Sequence, residues 1–159
     1  MERDDILTLD DMALSRLVKL EFTRGSGNGG QKRNKTSTAV RVVLPEYGVE
    51  ASDCTERSQF RNRANALRKL RLALACQYRI LPAVPPENMQ CSMTSEAYPL
   101  WVAKVLDVLE AANGDCRTAA ATCGITFSAL LKKLYRDPQL WQHIQRRRQE
   151  TGLPALPRP

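Results

Sequence analysis

The sequence predicts an α+β fold, in which a small sheet packs on one long helix and an all-helical module follows. Three observations predict it. Between residues 18 and 54, apolar and β-branched residues fall in short alternating runs separated by turn residues. From Glu56 to Leu81 they recur instead at steps of three and four. After a proline-rich stretch, helical period returns from Leu100 onward.

The elements follow in order. Leu9 to Leu17 reads as a short helix with Asp10 as its N-cap, because acids favour a first helical turn. Val18 to Phe22 alternates and places Val18, Leu20 and Phe22 on one face of a half-buried strand. Thr38 to Leu44 is β-branched and reads as a second strand. "PEYG" is a turn, and Val49 to Cys54 a third strand. In the long helix, Phe60, Ala64, Leu67, Leu70, Leu74 and Tyr78 fill one arc. Arg57, Arg61, Arg68, Arg71 and Arg79 fill an adjoining one, and no acid follows Glu56 within it. Residues 82–99 hold four of the nine prolines and read as a linker with a flexible reach of roughly 25 Å. Four helical segments come next, Leu100–Ala112, Asp115–Gly124, Thr126–Asp137 and Pro138–Gly152. Asp137 caps the last, Pro138 sits in its first turn, and Gly152 marks its end. The expected division is therefore a domain over 1–81, a linker over 82–99, a helical module over 100–152 and an extended, mobile tail over 153–159.

Composition narrows the class. The chain has 159 residues and 43% apolar content, which suits one domain or two small ones. No apolar run is long enough to span a bilayer, and the acidic start lacks the features of a secretory signal, so the expected location is cytoplasmic, with no membrane partner. Five cysteines without a close pair, and a single histidine, argue against a metal site and for reduced, mostly buried thiols. The charge is uneven: residues 1–15 carry a net −4, residues 16–80 a net +9 and residues 81–159 a net +2. A dense basic middle points to a polyanion, with nucleic acid the usual one. A solvated basic surface is the plainer reading of the same charge.

The basic middle contains Gly29-Gly30-Gln31. Paired glycines let a backbone turn sharply and approach a ligand closely. Around the triplet stand Arg24-Gly25-Ser26-Gly27, Asn34-Lys35, Ala39-Val40, and Arg57-Ser58-Gln59 with Asn62. This combination, over about residues 18–80, resembles the catalytic domain of class I peptide chain release factors and of their short ribosome-rescue relatives. The resemblance implies a loop that enters the peptidyl transferase centre of the ribosome and promotes hydrolysis of the ester joining peptide to tRNA. It implies that Gly29 and Gly30 permit the backbone turn. It implies that the Gln31 N–H stabilises the developing oxyanion, a preorganised donor's role, while the Gln31 side chain admits water and excludes larger nucleophiles. Arg24, Lys32, Arg33 and Lys35 would then contact ribosomal RNA around the loop, and Arg57, Arg61 and Arg68 would do so from the helix. Asn34 and Thr36 either pin the loop or cap a helix after it; Ser58 and Gln59 read as structural. No cofactor, organic or metal, is implied. The sequence departs from the usual pattern at Lys32-Arg33 and at Asn28, with the triplet intact.

Stop-codon reading domains would need far more than the roughly 17 residues before the first strand, so a codon-independent peptidyl-tRNA hydrolase acting as a monomer on stalled ribosomes is expected. The basic tail of the rescue relatives is replaced here by helices. Leu106 to Asp137 resembles a Fis-type helix-turn-helix, with Ala120, Gly124 and Ile125 at its contact, turn and core positions, and Leu130 and Leu134 continuing the core. An ordinary helical hairpin accounts for the same spacing. Lys132 and Lys133 on the second helix, and Arg146, Arg147 and Arg148 on the last, are the candidate contacts to an mRNA channel or to duplex nucleic acid. For the arginine triplet, a preference of helix ends for cations is an equal account. Two other functions stay open at this stage: a ribosome-binding protein with little or no hydrolysis, and a DNA-binding regulator.

Overall fold

A computed structural model of the protein describes residues 1–23 and 38–159. The chain divides into two units, Met1–Gln77 and Tyr78–Pro159.

In the first unit, two short helices, α1 (Arg3–Leu7) and α2 (Asp11–Ser15), precede three strands, β1 (Lys19–Thr23), β2 (Ala39–Leu44) and β3 (Val49–Asp53). Asp10 caps α2 as expected, its carboxylate accepting the Ala13 N–H at 2.7 Å. The strands form an antiparallel sheet in the order β1-β2-β3. β2 alternates, so Val40, Val42 and Leu44 are buried on one face, each contributing about 1.5–3 kcal/mol. Arg41 points the other way and joins all three strands, pairing with Glu21 on β1 at 2.9 Å and with Glu50 on β3. The long helix α3 (Gln59–Gln77) lies against β2 and β3.

The buried face of α3 consists of Asn62, Ala66, Leu67, Leu70, Leu74 and Ala75. Leu67, Leu70 and Leu74 match the expected arc. Phe60 does not: it is 72% exposed, with the Arg63 guanidinium 5.7 Å from its ring centre. Ala64 is half-buried, and Tyr78 is exposed just past the helix end. The arc is rotated because a polar residue, Asn62, is drawn inward by backbone hydrogen bonds, which apolar periodicity does not register.

The second unit has four helices, α4 (Tyr98–Ala111), α5 (Cys116–Thr122), α6 (Phe127–Tyr135) and α7 (Pro138–Glu150). Asp115, Thr126 and Asp137 cap α5, α6 and α7 through their side chains. Gly124, at φ +72°, ends α5, where the Ile125 N–H returns to the Ala120 carbonyl at 3.0 Å. Ala120, Leu130 and Leu134 are core residues as expected, with Trp101, Val102, Val105 and Leu140; Ile125 is half-buried.

Residues 82–97 form neither helix nor strand, yet they belong to the second unit, whose boundary falls at Tyr78. Met89 is buried and its carbonyl accepts the Trp101 indole N–H at 3.2 Å, while the Cys91 carbonyl accepts Arg136 at 2.6 Å. The tail is likewise anchored rather than free. Leu156 is buried, and its N–H and C=O both bond the Gln145 amide, at 2.8 and 2.9 Å. None of the five cysteines forms a disulfide, and only Cys116 is buried; the other four are half-buried.

Candidate functional site

Antiparallel pairing sets Thr23, the last residue of β1, opposite Ala39, the first of β2. The two ends of the glycine-rich segment are therefore held on neighbouring strands. The segment itself lies outside the described residues, and with it Gly29, Gly30, Gln31, Arg24, Lys32, Arg33 and Lys35, as well as Asn34 and Thr36.

Two buried groups fasten this end of the sheet to α3. Asn62 is fully buried. Its Nδ2 donates to the carbonyls of Thr38 at 2.6 Å and Glu56 at 3.0 Å, and its Oδ1 accepts the Glu56 N–H at 2.9 Å. Three of its hydrogen-bonding sites are thus used, so a single side chain fixes both the entry to β2 and the entry to α3. Asp53, at the end of β3, is the second. Its carboxylate accepts Lys69 at 2.7 Å, the Thr55 hydroxyl at 2.9 Å and the Asn65 amide at 3.1 Å. Burial pulls its carboxyl upward, but the bonds from Lys69, Asn65 and Thr55 outweigh that and hold it below the ordinary carboxylate value. The roles of Asn62, Asp53 and Lys69 were not apparent in the sequence. Asn62 was marked only by its place in the pattern that carries the family resemblance and as a polar residue in phase with Ala66 and Leu70.

The cations of α3 separate into kinds. Arg57 and Arg61 are exposed at its start, and Arg61 is 4.0 Å from Glu56. The Arg61 N–H meets the Ser58 hydroxyl at 3.3 Å, so Ser58 serves as the helix cap. Arg68 is half-buried. Arg71 departs from the expected stripe: it is largely buried, pairs with Asp11 at 2.8 Å and donates to the Leu9 carbonyl, tying α2 to α3. Arg79 departs too, since it belongs to the second unit and pairs there with buried Asp107 at 3.0 Å.

The C-terminal candidates also separate. Lys132 is exposed and Lys133 half-buried. Arg146 is exposed. Arg147 is 3.5 Å from Glu110 and 4.0 Å from Glu150. Arg148 is committed to the fold: its guanidinium donates to the Pro154 carbonyl at 2.7 Å and to that of Gly114. The sequence puts Arg148 with Arg146 and Arg147 as a nucleic-acid contact; the long-range turn it holds cannot be seen from the triplet alone.

Burial pushes the Cys116 and Cys123 thiols up, keeping them protonated and poorly nucleophilic. Burial, with Arg79 and Arg146 nearby, pushes His143 down, so its imidazole is neutral at pH 7. Among the described residues no cluster of three His, Cys, Asp or Glu side chains could hold a metal, and no helix is long and apolar enough to cross a membrane.

Comparison with known proteins places this framework. The RF-1 domain matches residues 12–95, more than half of the chain. The chain belongs to the RF-1 domain family. The resemblance to class I release factors is thereby borne out for its N-terminal part. Peptide chain release factor 1 of Thermotoga maritima is 47% identical over 57 residues, which cover 36% of this chain and 17% of that protein. Peptide chain release factor 2 of Acidithiobacillus ferrooxidans is 44% identical over 57 residues, covering 36% and 16%. Peptide chain release factor 1 of Symbiobacterium thermophilum is 44% identical over 61 residues, covering 38% and 17%. The chain thus spans about one sixth of the length of these relatives. The RF-1 domain match runs from α2 through α3 and on into the second unit, leaving α4 to α7 beyond it.

Proposed function

We infer that this chain hydrolyses the peptidyl-tRNA ester on stalled ribosomes without reading a codon. The observation that carries the inference is an intact Gly29-Gly30-Gln31 triplet between strand ends paired at Thr23 and Ala39, in a member of the RF-1 domain family. Water attacks the ester carbonyl, the carbonyl oxygen takes up negative charge, and as that charge returns the bond to the tRNA 3′-oxygen breaks, the leaving oxygen taking up a proton to replace the one the water gives up. The Gln31 N–H donates to that oxyanion, and its side chain selects water by size. Catalysis of this kind works by positioning and electrostatics, so the anchoring of Thr38 by Asn62 is part of the machinery. Arg57 and Arg61 face solvent where they can neutralise ribosomal RNA phosphates.

The rescue form of the reading draws on the second unit. α5 and α6, joined through Gly124 and the Thr126 cap, have the succession expected of a helix-turn-helix. We read the unit as the part that recognises the stalled state, with Lys132 and Arg146 as its available cations.

Release of labelled peptide from purified ribosomes tests this. Three messages are compared: truncated in the P site, a stop codon in the A site, and a sense codon in the A site, with Gly30→Ala as the blank. Release on the truncated message alone is expected. Release only at a stop codon would refute rescue, and no release on any message would refute hydrolysis.

A further inference from the structure

The second unit contains an open groove of about 750 Å³ between α7 and the chain that follows it. Trp141, Gln142, Arg146, Gln149, Leu153 and Ala155 line it, and no acid does. Gln142, Arg146 and Gln149 are separated by four and three residues, so they share one face of α7. The opposite wall is fixed rather than loose. Gln145 holds Leu156 through two bonds, and Arg148 holds the Pro154 carbonyl. The Trp141 ring also meets Tyr135 edge to face, with centroids 5.1 Å apart, and Tyr135, which does not line the groove, is 41% exposed.

We propose that this groove binds an unpaired RNA strand. An aromatic surface accepts the face of any base, and stacking of this kind tolerates sequence. Gln142 and Gln149 each offer a donor and an acceptor to base edges, which are accessible only when a strand is unpaired. Arg146 supplies the phosphate contact, and the absence of an acid from the lining leaves the groove complementary to a polyanion. A duplex keeps its base faces stacked and does not offer them to Trp141. The inference rests on the reading of this chain as a ribosome-bound factor, where unpaired RNA is at hand, but not on its hydrolytic chemistry.

The chain has two tryptophans, and Trp101 is 3% exposed, so base stacking in the groove is reported by Trp141. The full chain is titrated with a short single-stranded RNA of mixed sequence, the same sequence as a duplex, and heparin, following tryptophan fluorescence. Saturable quenching by the single strand alone is expected. The double variant Arg146→Ala, Gln149→Ala, both exposed positions, should weaken it about five-fold or more. No quenching, equal quenching by duplex or heparin, or an unchanged affinity in the double variant would overturn the proposal. Peptide release measured on the same variants separates the two readings. Quenching without release would defeat hydrolysis and keep the groove, and release without quenching would do the reverse.

Discussion

The Nδ2 of Asn62 lies 2.6 Å from the carbonyl oxygen of Thr38, so the residue that begins the return into β2 is held by the first turn of α3. Asn62→Ala leaves the Thr38 carbonyl and the Glu56 N–H without this partner, at a cost of about 2–3 kcal/mol. Asn62→Asp keeps an acceptor for Glu56 but turns a carboxylate toward two carbonyls. It should destabilise at least as much as alanine. Urea midpoints check this, and a well-tolerated Asn62→Asp variant would show that the bond to Thr38 is incidental. Peptide release should fall in both variants even where folding is retained.

Asp53 sets a pH dependence. Its folded value is depressed, so its contribution to stability is present above the ordinary value of 3.8 and is lost as pH falls through the lower folded value. Asp53→Asn removes the charge that Lys69 and Thr55 are arranged around and should cost about 1–3 kcal/mol at pH 7. The gap between parent and variant should narrow as pH drops below 3.8. A gap independent of pH would mean that Asp53 acts through shape alone.

Gly114 and Gly124 offer a controlled pair. Both have positive φ, +83° and +72°. A Cβ on Gly124 meets nothing within 4 Å, whereas on Gly114 it would lie 2.5 Å from Leu153 Cδ1. Gly124→Ala should cost about 1 kcal/mol for the backbone alone. Gly114→Ala should cost more, and Leu153→Ala in the same chain should recover part of the difference. Thermal melts of the three variants decide it; equal losses at the two glycines would exclude crowding by the tail.

What could be read from the sequence was local. Leu67, Leu70 and Leu74 mark the core face of α3 because apolar spacing reports burial directly, and Asp10 and Asp137 cap helices that begin where they stand. What escaped depended on distant partners. Asn62 is buried because backbone groups at positions 38 and 56 converge on it, and this turned the helix far enough to expose Phe60. Residues 82–97 are proline-rich and without period, which reads as a linker, but the Trp101 indole and the Arg136 guanidinium capture their carbonyls. Arg146, Arg147 and Arg148 look equivalent as a run. Only the return of the tail to Gln145 and Arg148 distinguishes an available cation from a structural one. The glycine triplet was the opposite case, legible as a motif because its residues are adjacent.

The arginines of α3 should therefore differ in what their loss does. Arg57→Ala with Arg61→Ala removes two exposed cations and should leave the melting temperature nearly unchanged. Ribosome binding should weaken, and the slope of log K against log salt should fall by about 2, roughly one unit for each phosphate no longer neutralised. Arg71→Ala should do the opposite. Its guanidinium, 12% exposed, bridges Asp11 and the Leu9 carbonyl, so its loss should lower the melting temperature and leave the slope intact. Equilibrium binding to purified ribosomes across a salt series, with a melt of each variant, measures both. If Arg71→Ala lowers the slope as much as the Arg57, Arg61 pair, the whole stripe contacts RNA and the ion pair to Asp11 must open on binding. If the pair leaves the slope unchanged, the start of α3 is only a solvated face, and the phosphate contacts of the first unit must come from the cations between β1 and β2.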